Sequence, residues 1–316
     1  MPDVLVSGEM LIDFLPDRPG SLSDVESFAR RPGGAPANVA VALSRLGESP
    51  WFWTRLGGDP FGDFLAATLA EQGVPDRFVE RDPGAKTTLA FVTHDEAGDR
   101  EFTFYRDGTA DTRLEPGSVP DAALDAVDWV YVGGVMLAAE PGRSATVDLA
   151  ERARGRDCEV VFDPNARPEL WPEGEFEDAV ADLLDLATVV KATPGDLERA
   201  GFDDHGPEGL ADEVCQRGPH TVLLTLGDAG SYAHASARAP WEPGSASHRG
   251  YDVTVSDTTG AGDAFTAGAL AAFASGVETL SEVLSFANAV AALTTTADGA
   301  MAALPDRESV TRLRES

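Results

Sequence analysis

The chain has 316 residues, 43% of them hydrophobic, which is enough for a large core in one or two α/β domains. Its 24 Lys and Arg stand against 54 Asp and Glu, a formal charge of −30. That balance excludes a nucleic-acid ligand and disfavours anionic membranes, because both need clustered cations. Two cysteines are too few for a disulfide scaffold. The opening Met-Pro-Asp-Val-Leu lacks the basic and apolar regions of a secretion signal, so a cytoplasmic location is expected. No uninterrupted apolar run approaches the roughly 20 residues of a spanning helix. The histidines at 94, 205, 220, 234 and 248 are scattered, and no Gly-x-Ser-x-Gly elbow occurs. The acids are spread along the chain, and Lys86 and Lys191 are its only lysines. This is the pattern expected in a salt-rich cytoplasm, where counterions screen self-repulsion; an ordinary acidic protein is the alternative.

In chain order, residues 3–8 predict a strand and residues 9–15 a second apolar piece that carries Asp13. A buried carboxylate needs donors, which sugar hydroxyls supply; a solvated strand-edge aspartate is the other reading. Arg31-Pro-Gly33-Gly34-Ala-Pro36-Ala-Asn38 then leads into a helix with Val39, Val41, Ala42, Leu43 and Leu46 apolar and Gly47 as its stop. Paired glycines allow close backbone approach, and Asn38 both donates and accepts, which suits a polyol; plain loop-to-helix punctuation would look similar. Residues 51–59 read as a strand and turn, and 61–72 as an amphipathic helix ended by Gly73. The alternating stretches 87–93 and 100–106, joined by a turn at 95–99, predict a hairpin inserted into an otherwise βα-alternating chain. Such a sheet commonly serves as a lid. Arg106 at its end can meet a substrate hydroxyl or form a surface ion pair.

Strands at 128–133, 159–163, 187–191 and 220–225 alternate with helices near 143–154, 176–186 and 206–217, hence a parallel sheet covered on both faces. Asp163-Pro-Asn165-x-Arg167 sits at the carboxyl edge where such sheets bind ligands. Lys191-Ala-Thr193-Pro-Gly-Asp196 and Thr225-Leu-Gly227-Asp228-Ala-Gly230 follow the next two edges and point toward a nucleotide. The glycines of the second let amides face phosphates, unless it is an ordinary β-turn. Residues 251–255 alternate as a half-buried strand does, and 264–274 read as a buried helix. Between them lies Asp257-Thr-Thr-Gly260-Ala261-Gly262-Asp263. At a helix start the amides are unpartnered and the dipole is positive, so an anionic group is the expected guest. Asp263 would repel it unless it works as a general base; complementing its own helix dipole is the alternative. Neither Gly-Lys-Ser/Thr nor a dinucleotide fingerprint is present. A last helix is expected from 281 to about 297, then a loop from Asp298 to Pro305.

The Asp257–Asp263 stretch resembles the C-terminal signature of the ribokinase-like sugar kinases, and Arg31–Asn38 their N-terminal one. Asp163-Pro-Asn165-x-Arg167-Pro-x-Leu-Trp171 is similar to the fructokinase branch. The resemblance extends over essentially the whole chain. It implies one α/β domain over 1–316, a ribokinase-like three-layer sandwich with a mostly parallel central sheet, and a β-sheet lid from about 10–30 and 87–107. It implies an ATP-dependent sugar kinase acting on fructose. A 2-keto-3-deoxygluconate kinase is the alternative enzyme and a sugar- or nucleotide-binding regulator the alternative from another class, with a dehydrogenase, disfavoured by the absent fingerprint, as a third reading. The implied base is Asp263, with the amides of Gly260, Ala261 and Gly262 stabilising the phosphoryl group. Asp13, Gly33, Gly34, Asn38, Arg106 and Arg167 would hold the sugar. Lys191, Thr193, Asp196, Thr225, Gly227, Gly230 and Asn288 would serve ATP and Mg2+; Thr193 and Asp196 stand where the family usually has Asn or Ser and then Glu. Asp257, Thr259, Thr294, Ala297, Gly299 and Ala303 would surround a monovalent cation such as K+. The implied partners are a small sugar and ATP, with no nucleic acid and no membrane, in a monomer or homodimer.

Overall fold

A computed structural model describes residues 3–18, 20–94, 100–172 and 174–316, so the turn expected at 95–99 lies outside the described residues. The βα repetition produces a nine-stranded sheet. Its middle is built from strands β1 (Val4–Ser7), β4 (Trp51–Gly57), β8 (Trp129–Gly133), β9 (Glu159–Asp163), β10 (Val189–Ala192) and β11 (Thr221–Thr225), paired parallel in the order β11-β10-β9-β8-β1-β4. β5 (Val79–Asp82) adds parallel at one edge, and β12 (Ser231–Ala235) and β13 (Gly244–His248) add antiparallel at the other.

These strands are buried on both faces because side chains alternate between two cores. Val4, Val6, Tyr131, Val161 and Val189 enter one, and Leu5, Val130, Val132, Val160 and Val190 the other. Helices α1 (Ala35–Arg45), α2 (Pro60–Glu71), α8 (Ala261–Ala274), α9 (Leu280–Thr294) and α10 (Arg307–Glu315) cover the first face. The second is covered by α3 (Asp121–Leu124), α4 (Gly142–Arg154), α5 (Glu175–Leu184), α6 (Pro194–Arg199) and α7 (Gly206–Gln216). The result is the expected three-layer α/β sandwich. Helix α8 is almost all small residues because it lies deep: a Cβ on Gly268 would come within 2.8 Å of the Ala287 Cα of α9.

A separate four-stranded sheet runs β3-β2-β6-β7, from β3 (Phe28–Gly33), β2 (Leu11–Pro16), β6 (Leu89–His94) and β7 (Arg100–Tyr105). The two expected hairpin strands pair antiparallel, with Leu89 opposite Tyr105. Asp13 is opposite Ala90 and Ala90 opposite Phe104, so the two-residue period puts Asp13 and Phe104 on one face. Phe14, Phe28, Phe91 and Tyr105 pack together on the other, with Phe14 and Phe91 stacked at 4.9 Å.

Three expectations are corrected. Residues 251–255 form no strand: β13 is already the sheet edge, and the segment ties instead to α9 and its C-terminal turn. Tyr251 Oη and Ser285 Oγ lie 3.0 Å apart, Ser256 N donates to Thr295 O at 2.7 Å, and Val255 is 57% exposed. The alternation there reports a half-buried crossing, not ladder pairing. Helix α9 stops at Thr294, short of 297, where the hydroxyls of Thr295 and Thr296 donate back to Ala292 O and Leu293 O. It is also not the last helix. α10 follows, with Asp306 capping Ser309 N at 2.8 Å.

Candidate active site

A cavity of about 530 Å³ opens between the carboxyl edge of the large sheet, the starts of α1 and α8, and the small sheet. At its centre is the turn into α8. Gly260 adopts φ 79°, and a Cβ there would fall 2.6 Å from the Ala300 Cβ, so only glycine allows the turn to close against that loop. Gly260, Ala261 and Gly262 line the cavity together with Asp263. The Asp263 Oδ2 accepts a 2.7 Å hydrogen bond from Asn38 Nδ2, joining α8 to α1 across 225 residues of sequence. Burial pushes the Asp263 carboxyl up to about 6, against the opposing pull of that bond and of Lys191. A carboxylate so poised can take a proton near neutral pH.

On one side of Asp263 the wall carries Asp13, Gly34, Asn38 and Arg167. Asn38 is 5% exposed, and its Oδ1 has no hydrogen-bond partner among the described residues. Arg167 lies over the Phe102 ring at 5.4 Å. Two sugar-side expectations change. Gly33 is behind the wall, where a Cβ would meet Asp13 Oδ2 at 2.0 Å; it makes room for that carboxylate. Arg106 is also off the wall: its Nε donates to Asp111 Oδ2 at 2.8 Å and its Nη1 to Val135 O at 3.1 Å, a buried strut. Its guanidinium is spent on an internal carboxylate, which one arginine at a strand end does not disclose.

Glu9 is a wall residue that sequence reasoning missed. It is 2% exposed; its Oε1 accepts from Ala35 N at 3.2 Å, and its Oε2 has no partner among the described residues. Burial pushes it up to about 7, with Arg106 opposing and Asp111 and Asp263 adding. The signal that singled out Asp13, an acid in an apolar run, applies equally to Glu9.

On the other side the wall carries Lys191, Thr193, Asp196, Thr225, Gly227, Gly230 and Asn288, all seven expected there. Gly227 and Gly230 have φ of 60° and 87°, and a Cβ on Gly230 would lie 2.0 Å from His248 O. Asn288 Nδ2 donates to Ser231 Oγ at 2.6 Å and Leu284 O at 2.7 Å. Asp196 proves to be occupied. Its Oδ2 accepts from Thr193 N and Thr193 Oγ1 at 2.8 and 2.7 Å, and its Oδ1 from Ala166 N at 2.9 Å. Thr193 Oγ1 reciprocates with Asp196 N, a capping box for α6.

Of the residues expected around a monovalent cation, Asp257, Thr259 and Gly299 are hydrogen-bonded together. Asp257 Oδ1 accepts from Thr259 N at 2.9 Å and Thr259 Oγ1 at 2.5 Å, while its Oδ2 accepts from Gly299 N at 2.9 Å, so the carboxylate staples the two segments. The Thr294 hydroxyl donates to Val290 O inside α9, Ala297 is exposed, and Ala303 N donates to Gly299 O at 3.2 Å. No group of three or more His, Cys, Asp or Glu able to hold a metal occurs among the described residues.

Residues 1–307 match the family described as pfkB family carbohydrate kinase. The chain belongs to this family. It is 38% identical over 321 residues to fructokinase-1 of Oryza sativa subsp. japonica, covering 99% of this chain and 98% of the relative. Among solved structures, this kinase superposes on the fructokinase with bound ATP from Xylella fastidiosa with a TM-score of 0.88, at 32% identity and over 100% and 99% of the two chains. A putative ribokinase II in complex with ATP and Mg2+ from E. coli gives a TM-score of 0.87 at 25% identity, over 100% and 99%. Among the described residues of the kinase, no helix is long and apolar enough to cross a membrane.

Proposed function

We propose that this kinase transfers the γ-phosphoryl group of ATP to a hydroxyl of fructose. The observation that carries the reading is one cavity lined jointly by Asp263, Gly260, Ala261 and Gly262, by Asp13, Gly34 and Asn38, and by Gly227 and Gly230, with Asn38 bonded to Asp263. The named activities of the rice and Xylella relatives support it. Asp263 takes the proton of the attacking hydroxyl, and the amides of Gly260, Ala261 and Gly262 stabilise the charge on the transferring phosphoryl group. Asn38 orients Asp263 through Nδ2 and offers its Oδ1 to the sugar, while Arg167 approaches from the β9 edge. The small sheet, with Phe102 and Phe104 on the cavity, serves as the lid of a single domain over 1–316 and excludes water so that ATP is not hydrolysed.

Magnesium supplies charge neutralisation on the phosphates when bound with them. Thr193 and Asp196 would face such an ion from that wall, but their side chains already bond each other and Ala166 N, so the ion would be carried on the nucleotide with its waters and would not depend on the Asp196 carboxylate. We place a monovalent cation at the backbone carbonyls near Asp257 and Gly299. A 2-keto-3-deoxygluconate kinase stands second on the strength of Arg167, the arginine on the cavity wall. A panel of fructose, 2-keto-3-deoxygluconate, ribose, adenosine and glucose with ATP and magnesium at high salt tests both. Fructose should show the highest kcat/KM, and a clear preference for the keto-acid would overturn the assignment.

The charge of −30 supports a salt-rich cytoplasm as the setting. Dilution to low-millimolar salt lengthens the Debye length to about 30 Å, and ellipticity should then fall as the acids repel. Unchanged stability across the titration would refute that setting.

A further inference from the structure

Among the described residues that line the cavity the cations are Arg167 and Lys191, and Lys191 is the one held against a buried carboxylate. Its Nζ lies 3.0 Å from Asp163 Oδ2, with the two side chains 6% and 1% exposed. They come from the carboxyl ends of the adjacent strands β10 and β9. The same Nζ lies 3.3 Å from where a Cβ on Gly262 would stand, so the bare α-carbon of Gly262 leaves the ammonium room against the phosphoryl turn. A lysine side chain ordinarily keeps its head in water. This one is held in the interior, beside the amides of α8.

We infer that Asp163 and Lys191 work as a pair: Lys191 donates to an oxygen of the transferring phosphoryl group, and Asp163 is the positioning residue that aims Nζ at the Gly260–Gly262 turn. The inference rests on the phosphoryl-transfer reading above. In the step, the sugar oxygen forms its bond to the γ-phosphorus as the bond to the ADP oxygen breaks. The sugar proton passes to Asp263, and Lys191 keeps its protons throughout. Burial alone would strip a proton from Lys191, but Asp163, Asp196 and Asp263 outweigh it and hold the ammonium above the ordinary lysine value. Burial pushes the Asp163 carboxyl up while Lys191 pulls it back; beside an ammonium kept charged by three acids, the pair stays ionised. The amides supply fixed dipoles, and Lys191 adds the full charge that a metaphosphate-like transition state, with its charge spread over three oxygens, calls for.

Lys191→Met, Asp163→Asn and the double variant test the pair. Removing one donor aimed at developing charge typically costs 10²–10³-fold, so Lys191→Met should lower kcat by about that factor and leave the KM for sugar near wild type. Calorimetry should show ATP affinity falling while ADP affinity holds, since only ATP brings the γ-phosphate to Nζ. Asp163→Asn should lower kcat by a smaller factor. Either single change leaves a buried charge uncompensated and can cost folding. The double variant removes both charges, so its melting temperature should recover toward wild type while kcat stays down. A double variant that melts like wild type and turns over within about threefold of it would overturn the inference. If wild type ignores fructose, the fructose assignment fails by itself. The ATP-over-ADP preference of wild type against Lys191→Met then still decides the role of Lys191, and equal loss or no loss for both nucleotides would sink it.

Discussion

Two acids on the active-site wall, Asp263 and Asp196, behave in opposite ways. At the α1–α8 junction, Asp263 has one side-chain donor, Asn38, and around it the Asn38 Oδ1 and Glu9 Oε2 are buried with no partner among the described residues. At the β10–α6 edge, Asp196 accepts three hydrogen bonds and closes a capping box. Buried polar atoms are normally satisfied, so the first region is built to be completed by something that arrives and the second is complete as folded. An acid on a cavity wall is therefore not a ligand group by address alone. What matters is how many of its lone pairs the fold has already taken.

The sharpest way to break this contrast is Asp263→Asn, which keeps shape and helix position and removes the base. A positioned general base contributes ~10²–10⁴-fold, so kcat should fall by about that factor or more while nucleotide binding survives. An aspartate that merely complemented its helix dipole would cost ~0.3–1 kcal/mol of stability and leave kcat almost intact. Burial raises the Asp263 carboxyl, so the neutral asparagine should melt no lower than wild type at pH 8. A turnover near the wild-type rate would remove Asp263 from the mechanism.

Glu9→Gln sharpens the same side. Its folded carboxyl titrates near 7 against an ordinary 4.5, so the stabilisation it gives is present below the unfolded value and is lost as pH rises through about 7. Wild type should lose up to ~3 kcal/mol relative to Glu9→Gln between about pH 5 and 8, from roughly 1.4 kcal/mol per unit. Denaturant melts of both proteins at the two pH values read this directly. Parallel pH dependences would mean that Glu9 has a partner the fold already supplies.

Much of this was legible in the sequence because it rests on local rules. The strands expected at 159–163 and 220–225 are found at 159–163 and 221–225, the helix expected over 264–274 opens three residues earlier at Ala261, and Gly227, Gly230 and Gly260 sit at positive φ. What was not legible depends on which partners the fold brings to each group. Arg106 reads as an available cation until Asp111 and Val135 O are seen on its donors, Asp196 reads as a ligand until Ala166 N reaches it from 30 residues away, and residues 251–255 read as a strand until the sheet turns out to end at β13. Glu9 carries the same sequence signal as Asp13, an acid in an apolar run; what only the fold shows is that Ala35 N reaches one of its oxygens while Oε2 has no partner among the described residues.

Asn38→Ala probes the junction through pH. The bond from Asn38 Nδ2 opposes the effect of burial on Asp263, so its loss should move the acidic limb of kcat/KM upward from near pH 6. The sign follows from the base being active only when ionised, so the variant should need a higher pH to reach its plateau. A limb that stays in place, with only the KM for sugar raised, would make Asn38 a sugar contact alone.

The smallest effect is expected from Asp196→Asn. The amide keeps an oxygen that can accept from Thr193 N, and its other end can no longer accept from Ala166 N, so one of two satisfied roles survives. Loss of a helix-capping contact costs ~0.5–2 kcal/mol, and partial retention should put the change near the lower end of that range. If Asp196 is complete as folded, the magnesium concentration for half-maximal rate should stay within about threefold of wild type and kcat should hardly move. If instead its carboxylate organises magnesium-bound water, the metal requirement should rise by tenfold or more with stability scarcely changed, since losing an outer-shell partner typically costs 10–100-fold in metal affinity. Measuring both quantities on one variant distinguishes an acid that completes the scaffold from one that waits for a ligand, and the three short hydrogen bonds to Asp196 favour the scaffold.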